Sequence, residues 1–362
     1  MGNKRNCDCG TSEEYRWINS LKGISILGVI LIHSGAGSLG GIIGKISQYG
    51  STFTQAFFVI SAFLTWKSLS KFSYSMSIKE ALSWTYAKIL KLLPAYYIGI
   101  FLYIVLLGGN KYWAGDMDIV SIFNICVHLI FLHGLFPKCC NNILGVEWYI
   151  GVLALFYIVA PFLFKLINNI QKAVIFFVAV NIINNLVSHF GMNYYHNNEY
   201  QYIYDSYFES YGFISQLPTL SLGIVLFFLL KIGFSRMSRK IGMIFSGFSC
   251  IFALLLLKTY GIISLINPVF SITVPTLYGI VFLIYMLGQS AYMIPIVNGI
   301  FFEVVGKHSY EMYIFHYLVI YIIFDMLLKN REMTIVLWGI EYFIAFGTTL
   351  FLSIIIHKWK YK

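Results

Sequence analysis

The chain has 362 residues, of which 59% are hydrophobic and only 11% charged, with a formal net charge of +10. A soluble domain carries about a quarter charged residues, so this chain has too little polar surface to cover itself in water. Its positive charge is spread thinly between apolar runs, which excludes a nucleic-acid partner and fits loops held on one side of a lipid bilayer.

Residues 1–20 form a polar tail containing Cys7 and Cys9, without the apolar core of a cleavable signal peptide. A membrane-spanning helix needs about 20 mostly apolar residues. Such runs lie near 22–42, 52–69, 89–108, 119–136, 147–167, 172–190, 212–231, 241–258, 269–288, 308–328 and 334–356. No linker or polar block divides them. The predicted fold is all-α, a single polytopic transmembrane helical bundle over residues 21–357, between an N-terminal tail (1–20) and a C-terminal tail (358–362).

The loop 67–91 holds Lys67, Lys71, Lys79, Lys88 and Lys91; the loop 231–240 holds Lys231, Arg236, Arg239 and Lys240; the chain ends in a basic stretch from His357. The excess of basic residues places all three in the cytoplasm, and with a cytoplasmic N-terminus both ends of the chain lie inside. The loop 191–211, with Glu199, Asp205 and Glu209 and no Lys or Arg, belongs outside. Eleven full crossings cannot satisfy these assignments. The run at 119–136, which contains His128 and His133 and ends in a broken stretch, is therefore predicted to be re-entrant or tilted, covered by protein or water. About ten crossings follow.

The first helix carries the sharpest signal. Lys22 and His33 are eleven residues apart, which puts them within about 20° of one helix face and about 16 Å apart along the axis. His33 is then predicted near mid-membrane, where an ionisable side chain is costly and points to function. The second helix reads Phe57-Phe-Val-Ile-Ser61-Ala-Phe63. Lys88 and Lys91, ahead of Pro94, share one face of the third helix, as snorkelling anchors or as a phosphate clamp. A stretch from Phe131 through His133, Pro137 and Asn142 to Glu147-Trp148-Tyr149 reads as a cavity-lining loop. Late in the chain, Ser309, Tyr313 and His316 form a polar stripe beside Tyr310.

Cys126 and Cys250 lie inside apolar runs and Cys139–Cys140 in a loop, with no second pair at zinc-binding spacing, so no metal site is predicted. There is no Walker A loop, no Gly-x-Ser-x-Gly elbow, no His-x4-Asp and no His-Glu-x-x-His. Gly37, Gly40, Gly41 and Gly44 do not fix an oligomeric state.

In their order, these five stretches resemble the acyltransferase-3 family of bacterial polytopic membrane O-acyltransferases, over about residues 16 to 356. The sequence departs from that family at Lys22, where an arginine is usual, at the Lys88/Lys91 pair, at Ala62 in place of glycine, and at Leu153 in place of a glutamate. The resemblance implies transfer of an acetyl group from cytoplasmic acetyl-CoA to a hydroxyl of a cell-envelope polysaccharide or its lipid-linked precursor, at the bacterial inner membrane. His33 would be the general base, and His316 and Tyr310 would orient the acceptor or donate to the oxyanion. Lys22, Lys88 and Lys91 would hold the CoA phosphates, with Trp148, Asn142 and His133 on the sugar side. A non-enzymatic translocase of envelope glycan or lipid-linked sugar would share the composition, but it has no need of Lys22 and His33 in phase.

Overall fold

The computed structural model describes residues 15–109, 113, 121–263, 272–323 and 332–360. Among them every regular element is helical. The sequence sets the ends of these helices by local devices. Helix α1 (Arg16–His33) stops where Gly35 takes φ +71°, a left-handed turn that glycine enters without steric cost. Gly40 and Gly41, also at positive φ, lead into the short helix α2 (Gly41–Gln48), and α3 (Phe53–Leu69) follows. The predicted run 22–42 is therefore corrected. Its helix starts at Arg16, within the expected tail, and ends at His33, so His33 closes the helix instead of lying in its middle.

Helix α4 (Ile78–Leu107) begins with a capping box, in which the Glu80 amide donates to Ser77 Oγ (3.2 Å) and the Ser77 amide donates back to the Glu80 carboxylate (2.7 Å). The stretch expected to be a basic loop over 67–91 is a turn at 70–77 and then helix, so Lys79, Lys88 and Lys91 all ride on α4. At 1.5 Å per residue its 30 residues rise about 45 Å, against a hydrocarbon core of about 30 Å.

The described part of the run 119–136 holds only α5 (Ile122–Leu129) before a turn at Phe131 with φ +61°. Eight residues rise about 12 Å, too little to cross. Then come α6 (Trp148–Leu166), α7 (Ile170–Tyr194) and α8 (Gln201–Ser206). Helix α8 runs through a π-helical turn at Tyr207–Tyr211 toward α9 (Phe213–Lys231), so much of the expected outer loop 191–211 is helical. The chain continues with α10 (Arg239–Ile263), α11 (Val274–Ala291), α12 (Ile300–Lys307), α13 (Ser309–Ile323) and α14 (Ile335–Lys360).

Seven helices among the described residues are long and apolar enough to cross a membrane: 78–107, 148–166, 170–194, 201–231, 239–256, 274–291 and 335–358. The count of about ten is not confirmed. Helix α3 is 17 residues long, α1 carries Arg16 and Lys22 in its first half, and α13 has 15 described residues.

Helices α1, α3 and α9 form the centre, each contributing to both buried clusters. Helices α7, α10 and α14 lie at the rim and present Ile175, Ile244, Leu254 and Phe343 outward. Two glycines set how α12 meets α1. A Cβ at Gly23 would collide with the carbonyl of Phe302, and one at Gly306 with the carbonyl of Asn19. The two helices cross backbone to backbone, and Lys22 sits beside that crossing.

Candidate active site

His33, at the end of α1, meets His316 on α13 with ring centroids 5.3 Å apart. The edge of Tyr317 closes on His33 at 5.0 Å, and Tyr313 lies 5.8 Å from His316. His316 is fully buried, and its Nδ1 is 2.8 Å from the carbonyl oxygen of Tyr313 and 3.2 Å from that of Met312. Two acceptors at Nδ1 assign the proton of the neutral ring to that nitrogen. Nε2 then carries a lone pair, and it has no hydrogen-bond partner.

Aromatic side chains from the other stretches pack around this pair. Phe57 lies 6.3 Å from Tyr313 and 6.0 Å from Tyr149, while Phe58 stacks obliquely between Tyr149 (4.8 Å) and Trp148 (5.7 Å). Ser61 Oγ is hydrogen-bonded to the Tyr149 hydroxyl at 3.0 Å. Tyr313 donates to the carbonyl of Val146 at 2.6 Å, tying α13 to the loop ahead of α6.

That loop is organised from inside by Glu147. Its fully buried carboxylate accepts the amides of Ile143 (2.6 Å) and Val146 (3.0 Å), with His128 Nε2 3.4 Å away. The His128 ring stacks on His133 at 4.4 Å, and His133 Nε2 is 3.2 Å from the Glu147 carbonyl oxygen. Tyr207 donates to the carbonyl of Gly134 at 2.9 Å. His133 is thus engaged in holding the loop. Asn142 is buried with Oδ1 unpartnered, and Trp148 is packed between Phe58 and Tyr211 (4.8 Å).

The remaining predicted residues sit toward the basic end of the bundle. Lys22 is half-buried on α1. Lys88 lies 5.2 Å from the Trp84 ring, and Lys91 is exposed. Tyr310 donates to the carbonyl of Leu92 at 2.8 Å, binding α13 to α4. It lies six residues, about 9 Å of helix rise, before His316. The structure brings His33 and His316 together; it places Tyr310 with the Lys88–Lys91 turn instead.

The profile of an acyltransferase domain matches residues 15–358. The chain belongs to the acyltransferase-3 family. No curated protein and no solved structure matches it. It is a membrane acyltransferase, and the five stretches of this acyltransferase-3 chain span its first, second and third long helices, the loop into α6, and α13.

Two features of this acyltransferase-3 chain escape a reading of motifs. At the basic end, a cleft of about 270 Å³ is lined by Tyr15, Trp17, Phe63, Lys67, Lys231 and Ser290. Lys67 and Lys231 read only as topology markers in the sequence; here Lys67 Nζ lies 3.2 Å over the Tyr15 ring. Nearby, Glu303 bridges Lys307 (3.0 Å) and Arg16 (3.2 Å), and these two cations, Lys307 foremost, hold its carboxyl below the ordinary range. At the other end, Glu341 on α14 is 2% exposed and has no partner for either carboxyl oxygen among the described residues. The signal for it was available, as a lone carboxylate inside an apolar run. Among the described residues no group of three His, Cys, Asp or Glu side chains could hold a metal ion.

Proposed function

We propose that this protein transfers an acetyl group from cytoplasmic acetyl-CoA to a hydroxyl of a cell-envelope polysaccharide or its lipid-linked precursor. The observation that carries the reading is the His33–His316 pair at 5.3 Å, set where the first helix, the aromatic second stretch and the loop into α6 converge. Acyl transfer needs a base for the acceptor hydroxyl and a water-poor setting for the thioester. A neutral His33 takes the hydroxyl proton as the oxygen attacks the thioester carbonyl. Collapse of the tetrahedral adduct expels the CoA thiolate, which receives that proton.

His316, with its lone pair at Nε2, orients the acceptor hydroxyl. Tyr310, whose proton goes to Leu92, supports the wall between α13 and α4. Lys22, Lys88 and Lys91 hold the phosphates of the donor, and the cleft bordered by Lys67 and Lys231 offers further cations at the same end. Trp148, Asn142 and His133 border the sugar side. The protein sits in a bacterial inner membrane with both termini in the cytoplasm. The seven long helices together with α1, α3 and α13 make ten crossings.

The test is isotope-labelled acetyl-CoA supplied to membranes containing the wild type or His33→Ala. Label passes to glycan in the wild type and not in the variant. Equal labelling in both overturns the role of His33, and labelling in neither overturns acetyl-CoA as donor.

A further inference from the structure

Glu341 is a buried carboxyl group to which acyl transfer as proposed gives no task. It lies in the apolar helix α14, 2% exposed, and neither Oε1 nor Oε2 has a hydrogen-bond partner. A carboxylate offers about four acceptor sites. Leaving them all empty in an interior is among the most costly arrangements a chain can hold, and such groups persist where function requires them.

The neighbouring side chains on α14 are satisfied, and they show which way this face turns. Trp338 Nε1 donates to Ser34 Oγ at 2.9 Å, and the Tyr342 hydroxyl donates to the carbonyl of Leu27 at 3.2 Å. These partners lie in the second half of α1 and at its C-cap. Glu341 lies between these two contacts in sequence, and its Oε2 is 3.8 Å from where a Cβ on Gly35 would stand. Gly35 has no side chain to meet it and is two residues beyond His33. Ser34 cannot donate to Glu341, because its hydroxyl already donates to the carbonyl of Leu31 at 2.8 Å.

Two unpartnered polar groups therefore stand at one end of α1 among the described residues: the Glu341 carboxyl and His316 Nε2. Their complement is a molecule rich in hydroxyl groups, each of which can donate to or accept from such a site. We propose that Glu341 binds a polyhydroxylated acceptor, its carboxyl group hydrogen-bonded to a hydroxyl next to the one that reacts. This rests on the acyl-transfer reading and adds the residue that selects the acceptor.

The experiment uses the full-length protein in detergent, as wild type, Glu341→Gln and Glu341→Asp, with glucose and N-acetylglucosamine as probes. In the first arm a hydrophobic carbodiimide modifies Glu341, followed by mass spectrometry with and without sugar. Sugar protects the site; equal modification in its presence overturns the proposal. In the second arm, transfer from labelled acetyl-CoA is followed. Glu341→Gln raises KM for the sugar about tenfold or more, the loss expected for one hydrogen bond to a charged group. KM for acetyl-CoA stays put, and Glu341→Asp recovers part of the loss. An unchanged sugar KM in Glu341→Gln overturns the proposal.

The split between the two KM values separates binding from architecture, since a structural loss would disturb the acetyl-CoA site as well. If the wild type transfers no label, acetyl-CoA fails as donor, while the protection arm, which needs no donor, still decides Glu341.

Discussion

The crossing of α1 and α12 admits a sharp test, Gly306→Ala. The new Cβ would collide with the carbonyl of Asn19, and the matching change Gly23→Ala would collide with that of Phe302. Neither obstacle is the tip of a side chain that can swing aside. Both are backbone inside helices, so relief requires the helices to part. Overpacking of this kind costs about 1–3 kcal/mol, and the rigid obstacle argues for the upper part of that range. Displacing α1 also displaces His33 from His316, and at the proposed reacting centre a 1 Å misplacement costs about 100-fold in rate.

Thermal denaturation of the purified protein, followed by circular dichroism, reads the first effect, and acetyl transfer reads the second. Gly339→Ala is the control. Nothing lies within 4 Å of its added Cβ, so exchanging glycine for alanine inside α14 gains about 1 kcal/mol. The double variant Gly23→Ala/Gly306→Ala should lose less than the sum of the singles, since the helices part only once. A Gly306→Ala protein that melts with the wild type, or a Gly339→Ala protein that loses as much, refutes the backbone crossing.

Three further outcomes follow from the site and its surroundings. Tyr313→Phe leaves the Val146 carbonyl, now paired at 2.6 Å, buried without its donor; the expected loss is about 1–3 kcal/mol, read as a lower melting temperature together with slower transfer. Glu147→Gln turns an amide NH2 toward the amides of Ile143 or Val146, and a loss of at least about 1–3 kcal/mol should appear in the same melts, larger than that of an exposed control such as Glu199→Gln. Glu303, whose folded carboxyl lies below its ordinary value of 4.5, contributes stability that is complete above that value and lost as pH falls through the lowered one; melting curves from pH 7 to pH 3 should be steeper for the wild type than for Glu303→Gln, with a difference within about 1 kcal/mol for these partly exposed partners.

What the sequence revealed follows from where each element takes its stability. Helix α6 was legible almost to the residue, because an apolar run bounded by Glu147-Trp148 and Ile167 is stabilised as one span. Helices α2 and α12, each eight residues long, gave no such signal, since short helices are held by tertiary packing and not by their own propensity. The extension of α4 into the expected basic loop was hidden by its lysines, although the Ser77–Glu80 capping box marks its start plainly. The convergence of His33 with His316 was implied by family order alone; the Nδ1 tautomer that makes His316 an acceptor needed the carbonyls of Met312 and Tyr313 in place. Tyr310 looked like a partner of His316 because they share a stretch of sequence, but six residues of helix separate them and its hydroxyl is turned to α4.

The excess length of α4 bears on where the protein sits in its membrane. Ile78, Leu82, Tyr86 and Leu90 are exposed and recur every fourth residue, so they form one apolar stripe along the first three turns. That stripe has no reason to stand in water. It sets the start of α4 against the lipid headgroups, where a lysine near an anionic surface is worth about 1 kcal/mol. Under the proposed role of Lys88 and Lys91, anionic lipids and the phosphates of a donor draw on the same cations, and the membrane's own composition becomes a setting of the protein's affinity.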